Sequence, residues 1–363
     1  MKKEINTVNN EASDVCVNEK KNELTLSKCN AIKVFMMLAV IIYHSVILWG
    51  GGGWFNQAPV IPSRTLKFIS GWLNTFPIFS FTFISGYLFY YLKFEIKKYD
   101  NLFKDSGKRA KRLLLPYLVV SLIWVIPFYI YFFGFDITTI LKKYLLAISP
   151  SQLWFLWMIF VLFVIFYLLS DIMNKIPLWI GLMIASAFYG VSIIGGHFLP
   201  NIFQIWTACA YFLFYYLGFA MRKYGLKWLY KIPWVIYVIL NVGLFCLYYF
   251  YLSAQTSFIL KVICIGIQIL IQVSGVLMVV IGFSKLNLEK LSNNKLYRFL
   301  EKYNFGMYLF HQQLIYITIT IFNGAVPNII LMILNFIFAS VLSALISYIL
   351  SKWKVSRMLI GIK

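Results

Sequence analysis

Residues 28–48 read KCNAIKVFMMLAVIIYHSVIL. At a rise of about 1.5 Å per residue, a helical run of this length crosses a hydrocarbon core of about 30 Å. A plain anchor needs no ionisable side chain, yet Lys33 and His44 lie inside this one. Eleven steps of about 100° return to nearly the same face, which sets the two on one side of the helix, roughly 16 Å apart. Asn30, three residues before Lys33, falls close to that face. Ionisable groups inside a membrane are costly and by default mark function. The packing alternatives are a snorkelling Lys33 and a His44 that only bonds a neighbouring helix.

Apolar runs of similar length recur through the 363 residues, which are 61% hydrophobic and 12% charged, with mean hydropathy +0.79. A soluble domain is nearer half apolar and a quarter charged. The chain therefore reads as an all-α polytopic membrane protein; strand-like alternation is missing, which sets a β-barrel aside. Ten spans are expected, at 30–49, 66–92, 113–135, 153–170, 178–195, 206–221, 233–252, 259–283, 303–323 and 329–350. The expected plan is a disordered cytoplasmic tail over 1–27, one membrane domain over 28–350 and a basic cytoplasmic tail over 351–363.

Net charge +21 would suggest a nucleic-acid partner in a soluble chain, but here placement decides against one. Lys and Arg concentrate in the N-terminal tail, alternate loops and the C-terminal tail. The opposite loops and their edges hold only Arg64, Lys67, Lys142, Lys143 and Lys261. By the positive-inside rule both termini are expected in the cytoplasm, with basic loops 93–112, 222–231 and 284–302 available to anionic lipid or a phosphorylated cofactor. Five cysteines without motif spacing and three histidines without an HExxH pattern give no disulfide framework and no metal site. Gly50 to Gly53 read as a flexible outer turn.

Several residues could carry chemistry. His44 has the unperturbed range for proton transfer near neutrality. In YNFGMYLFHQQ (303–313), Asn304, Tyr308 and His311 follow at i, i+4 and i+7 and share a face; they form either a polar seam or a second imidazole turned to the same cavity as His44. In KRAKRLLLPY (108–117), Arg109 and Arg112 are either a membrane-surface patch or a pair able to grip phosphate. Trp154 and Trp157 read as interfacial aromatics, and His197, in GGHFLP, as an exposed loop residue.

Taken in order, these pieces resemble the acyltransferase 3 family of integral membrane acyltransferases. That family opens with an Asp, an Arg three residues later and a His after ten more; Asn30, Lys33 and His44 keep the spacing with two replacements. Its second span ends in an F-x-SG motif, as in FTFISGYLF (81–89) with Ser85 and Gly86. An RxxRLxxP-like run matches Arg109, Arg112 and Pro116, and an LWFL motif matches Leu153–Leu156. A YxxFFxxGY-like pattern appears as YFLFYYLGFAM (211–221), and a GxYLxH signature as Gly306, Tyr308 and His311. The likeness runs through nearly all of residues 28–350. Lys33 loses the planar fork of an arginine, and Asn30 removes the acid that would pair with the cation.

The resemblance implies an enzyme of the bacterial plasma membrane that moves an acyl group, usually acetyl from acetyl-CoA or another acyl-CoA, to a hydroxyl on a surface polysaccharide or its lipid-linked precursor. No metal is required. His44 would be the base, or would carry the acyl group transiently. Lys33 and His311 would assist catalysis, Arg109, Arg112 and Lys33 would hold the donor, and Asn30, Ser85, Trp154 and Tyr308 are substrate-site candidates. Membrane lipid, the carbohydrate acceptor and polysaccharide-synthesis machinery are the partners implied. Two other readings compete: a lipid-linked glycan flippase or small-solute transporter, and a scaffold within a polysaccharide synthase complex.

Overall fold

The computed structural model describes residues 24–51, 57–253 and 257–362. The expected disordered tail therefore lies outside the described residues up to position 23, as do Gly52 and Gly53 of the glycine turn. The end of that tail is packed: Leu24 is buried, and its carbonyl accepts the Tyr87 hydroxyl at 2.7 Å.

Among the described residues the long elements are all helices. They are α1 (Leu26–Val46), α2 (Arg64–Leu73), α3 (Pro77–Tyr90), α4 (Leu102–Val120), α5 (Ile126–Phe133), α6 (Trp154–Lys175), α7 (Leu178–Phe198), α8 (Ile205–Tyr224), α9 (Trp234–Leu247), α10 (Phe258–Lys285), α11 (Lys295–Phe322) and α12 (Asn328–Leu350). Joined across their breaks, they give nine helices long and apolar enough to cross a membrane among the described residues. These match nine of the ten expected spans. The remaining one lies within α11, whose 28 residues are long enough but whose middle carries His311, Gln312 and Gln313. That composition has a cause: Gly306 to Tyr316 are buried without interruption. That stretch is wrapped by protein, which offers its polar side chains partners such as Gln152 for Gln313 and Tyr316 for Gln312.

The helix α1 is the hub, packing against α2, α3, α10, α11 and α12. It runs parallel to α11, since Asn304 donates to the Lys33 carbonyl at 3.3 Å and the His311 ring lies 5.0 Å from that of His44. Asn335 on α12 ties the pair together. Its amide donates to the Ser45 carbonyl at 3.1 Å and its oxygen accepts from Thr318 at 2.5 Å; such interhelical bonds are each worth about 0.6–2 kcal/mol in a membrane.

Two expected features come out differently. The span 66–92 is not one helix but two, parted at 74–76, with Pro77 opening α3 where its missing N–H costs nothing. Irregular backbone at membrane depth survives where it lines a cavity, and Asn74 does so. The basic loop 93–112 is helical from Leu102, capped by Asn101, whose side chain accepts from the Lys104 N–H at 3.0 Å. Pro116 does not break this helix, and a π-type turn over Ser121–Val125 carries it into α5.

The glycines of FTFISGYLF and YFLFYYLGFAM, Gly86 and Gly218, are explained by one contact. A Cβ at Gly86 would stand 1.9 Å from the Tyr215 carbonyl oxygen, and one at Gly218 would stand 1.9 Å from that of Phe83. Thus α3 and α8 touch backbone to backbone, as small residues permit in membranes. Gly86→Val is expected to force the helices apart at a cost of about 3 kcal/mol, read as a lower thermal midpoint and folded yield of purified protein.

Candidate functional site

Two cavities lie back to back inside the bundle. The first, about 270 Å³, is lined by His44 and Tyr43 from α1, Asn74 from the break, Ser151 and Gln152 before α6, Trp154, Tyr211 and Gln312. The second, about 400 Å³, is lined by Lys33, Lys98, Lys108, Arg109, Arg112 and Asp105, with Ser85, Tyr99 and Asn304. Val40, Ile78, Phe155 and Tyr308 line both and form the septum between them. Lys33 and His44 thus share one face of α1, as their spacing predicts, but open into different chambers.

The basic cavity is built for an anion. Asp105 is its one acidic residue among the described residues, and that carboxylate is already occupied by the backbone N–H groups of Asp100 at 3.1 Å and Asn101 at 3.3 Å. Arg109 lays its guanidinium over the Phe163 ring, 4.3 Å from the centroid, and its Nε is buried without a hydrogen-bond partner among the described residues. A planar guanidinium held by stacking with donors to spare suits phosphate. The C-terminal segment braces this wall. Ile360 and Ile362 are buried, and Gly361 lies against the Arg112 carbonyl, the Phe305 ring and Pro116. The basic tail expected over 351–363 is therefore docked at its end.

The histidine cavity is polar without being charged. Gln152 and Gln313 exchange amide hydrogen bonds of 2.7 and 3.1 Å, and Gln152 donates to the Leu309 carbonyl at 3.0 Å. The Tyr308 hydroxyl donates to the Gln152 carbonyl. Together these bonds fasten the segment before α6 to α11. His311 does not line the cavity, contrary to the expectation that it faces the same space as His44; it packs behind His44. Its Nδ1 sits 3.1 Å from the Met307 carbonyl and 2.9 Å from that of Tyr308. Carbonyls only accept, so the proton is on Nδ1 and the lone pair on Nε2, which is buried without a hydrogen-bond partner among the described residues.

The remaining candidates divide cleanly. Trp154 lines the histidine cavity and Tyr308 the septum. Ser85 lines the basic cavity, with its hydroxyl spent on the Phe81 carbonyl at 2.9 Å. Asn30 is exposed and lines neither cavity. Trp157 stacks on Phe203 at 4.6 Å, and His197 is exposed in the last turn of α7. Sequence reasoning missed Tyr43, Asn74, Ser151, Gln152, Tyr211 and Gln312. Only Gln312 carried a signal, an amide amid an apolar span beside His311. No group of three or more His, Cys, Asp or Glu side chains able to hold a metal occurs among the described residues.

A family model described as an acyltransferase domain matches residues 27–352. No curated protein and no solved structure matches the chain.

Proposed function

The chain belongs to the acyltransferase 3 family, and from that premise we propose that it transfers an acyl group, acetyl in the simplest case, from acyl-CoA to a hydroxyl of a surface polysaccharide or its lipid-linked precursor. The observation that carries this reading is the pair of cavities, one cationic and one neutral, meeting at a four-residue septum. Acyl-CoA enters the basic cavity from the cytoplasm, its phosphates held by Arg109 and Arg112 and its thioester directed past Lys33 to the septum. The acceptor occupies the histidine cavity.

His44, as base, takes the proton of the acceptor hydroxyl while the oxygen attacks the thioester carbonyl. The new C–O bond forms, the C–S bond breaks, and the departing CoA thiolate receives the proton from the imidazolium. Lys33 stabilises negative charge on the donor side of the septum. The family and the basic cavity support a setting in a bacterial plasma membrane, with the basic end in the cytoplasm and polysaccharide-synthesis machinery as the partner.

Arg109→Ala is expected to raise the KM for acyl-CoA by about 10- to 100-fold, the worth of a charge-assisted hydrogen bond, with kcat little changed; Arg109→Lys should recover part of the loss. The reading itself is tested by incubating purified protein with radiolabelled acetyl-CoA and glycan. His44-dependent label on the glycan supports it. Glycan movement across a vesicle without label transfer would replace it with a flippase.

A further inference from the structure

The histidine cavity restricts the kind of acceptor that can react. We propose that it takes a single uncharged sugar residue and rejects sugars whose ring carries a carboxylate or phosphate. This rests on the placement of the acceptor in that cavity.

Three observations carry it. First, among the described residues no Asp, Glu, Lys or Arg lines the cavity, so an anion there would give up its hydration with no counter-charge, a cost of several kcal/mol. The cations lie beyond the septum, facing the other chamber. Second, aromatic rings stand in its lining. Trp154 and Tyr211 stand with ring centroids 5.9 Å apart; aromatic faces are the negative part of the ring quadrupole, attractive to the C–H face of a sugar and repulsive to a carboxylate. Third, one acceptor atom of a lining residue is left without a partner. Gln312 is only 7% exposed and its amide donates to the Tyr316 hydroxyl. Its Oε1 is buried without a hydrogen-bond partner among the described residues. A buried carbonyl oxygen without a partner gains from a donor, and a sugar hydroxyl entering beside Gln312 supplies one after a small side-chain shift. The volume agrees: about 270 Å³ lies just below the usual range of ligand pockets, room for one ring inside the cavity. A lipid-linked precursor would therefore insert only its sugar and leave its phosphates outside.

The test measures binding apart from chemistry. Full-length protein in nanodiscs is titrated with matched alkyl glycosides of gluco, galacto and manno configuration. Each is offered as the neutral sugar, as the uronic acid and as the methyl ester of that acid. The expected result is saturable binding of at least one neutral sugar, about 100-fold weaker binding of its uronate and recovery with the ester, which restores neutrality while keeping the added bulk. Asn74→Lys, which places a cation on the lining, should narrow the gap between acid and neutral sugar. Gln312→Leu should weaken the neutral sugar by about tenfold. Equal or stronger binding of the uronate, or no binding of any sugar, overturns the proposal. Selective binding without label transfer from acyl-CoA would instead overturn the acyltransfer reading and leave the selectivity standing.

Discussion

Replacing His44 with alanine is expected to lower acyl transfer by about 10²- to 10⁴-fold, the usual contribution of a positioned general base. The readout is label moved from acyl-CoA to glycan per amount of folded protein. Donor binding should persist, because the cations of the donor chamber lie on the other side of the septum. Transfer at the wild-type rate would sink the assignment of the base. His311 is a positioning residue in this scheme: its ring lies 5.0 Å from His44, its Nδ1 proton is committed to backbone carbonyls and it lines neither cavity. His311→Asn should therefore cost less, about tenfold, and change the shape of the pH–rate profile. A purely structural role would lower folded yield and leave that profile as it was.

The membrane class was open to view in the sequence because twenty-residue apolar runs have few other uses. The face of α1 was legible for the same reason as any helical stripe: residues eleven apart return to one side. What that stripe could not reveal was the septum. Lys33 and His44 look like one site on a helical projection, and only the folded structure shows them in two cavities, with Val40, Ile78, Phe155 and Tyr308 lining both. Asn74 was hidden because its exposure depends on a helix break that an unbroken apolar pattern does not announce. Ser151 and Gln152 were hidden because they precede the expected span 153–170, and Gln152 is fixed at the site by bonds to α11, more than 150 residues later. The docking of Ile360 and Ile362 was masked by the basic residues around them. Conversely, Gly86 and Gly218, visible only within a likeness to a family, have a steric cause in the contact of α3 with α8.

Filling the septum should be the sharpest test of a two-chamber mechanism. Val40 is 4% exposed, lines both cavities and lies on α1, four residues before His44. Val40→Trp places an indole where acyl carbon and acceptor oxygen must meet. An ångström of misplacement in a reacting pair costs about 10²-fold, so the transfer rate should fall by about that factor or more. The variant should also lose about 1–3 kcal/mol of stability from overpacking, which leaves a folded population to assay. A folded Val40→Trp protein that binds acyl-CoA and sugar yet transfers little label is the expected outcome, because each ligand is held mainly by residues on its own side of the septum. Val40→Ala should keep the passage open and retain most of the activity. If Val40→Trp instead transfers at the wild-type rate, donor and acceptor meet elsewhere, and the line from Lys33 to His44 is not the path between them.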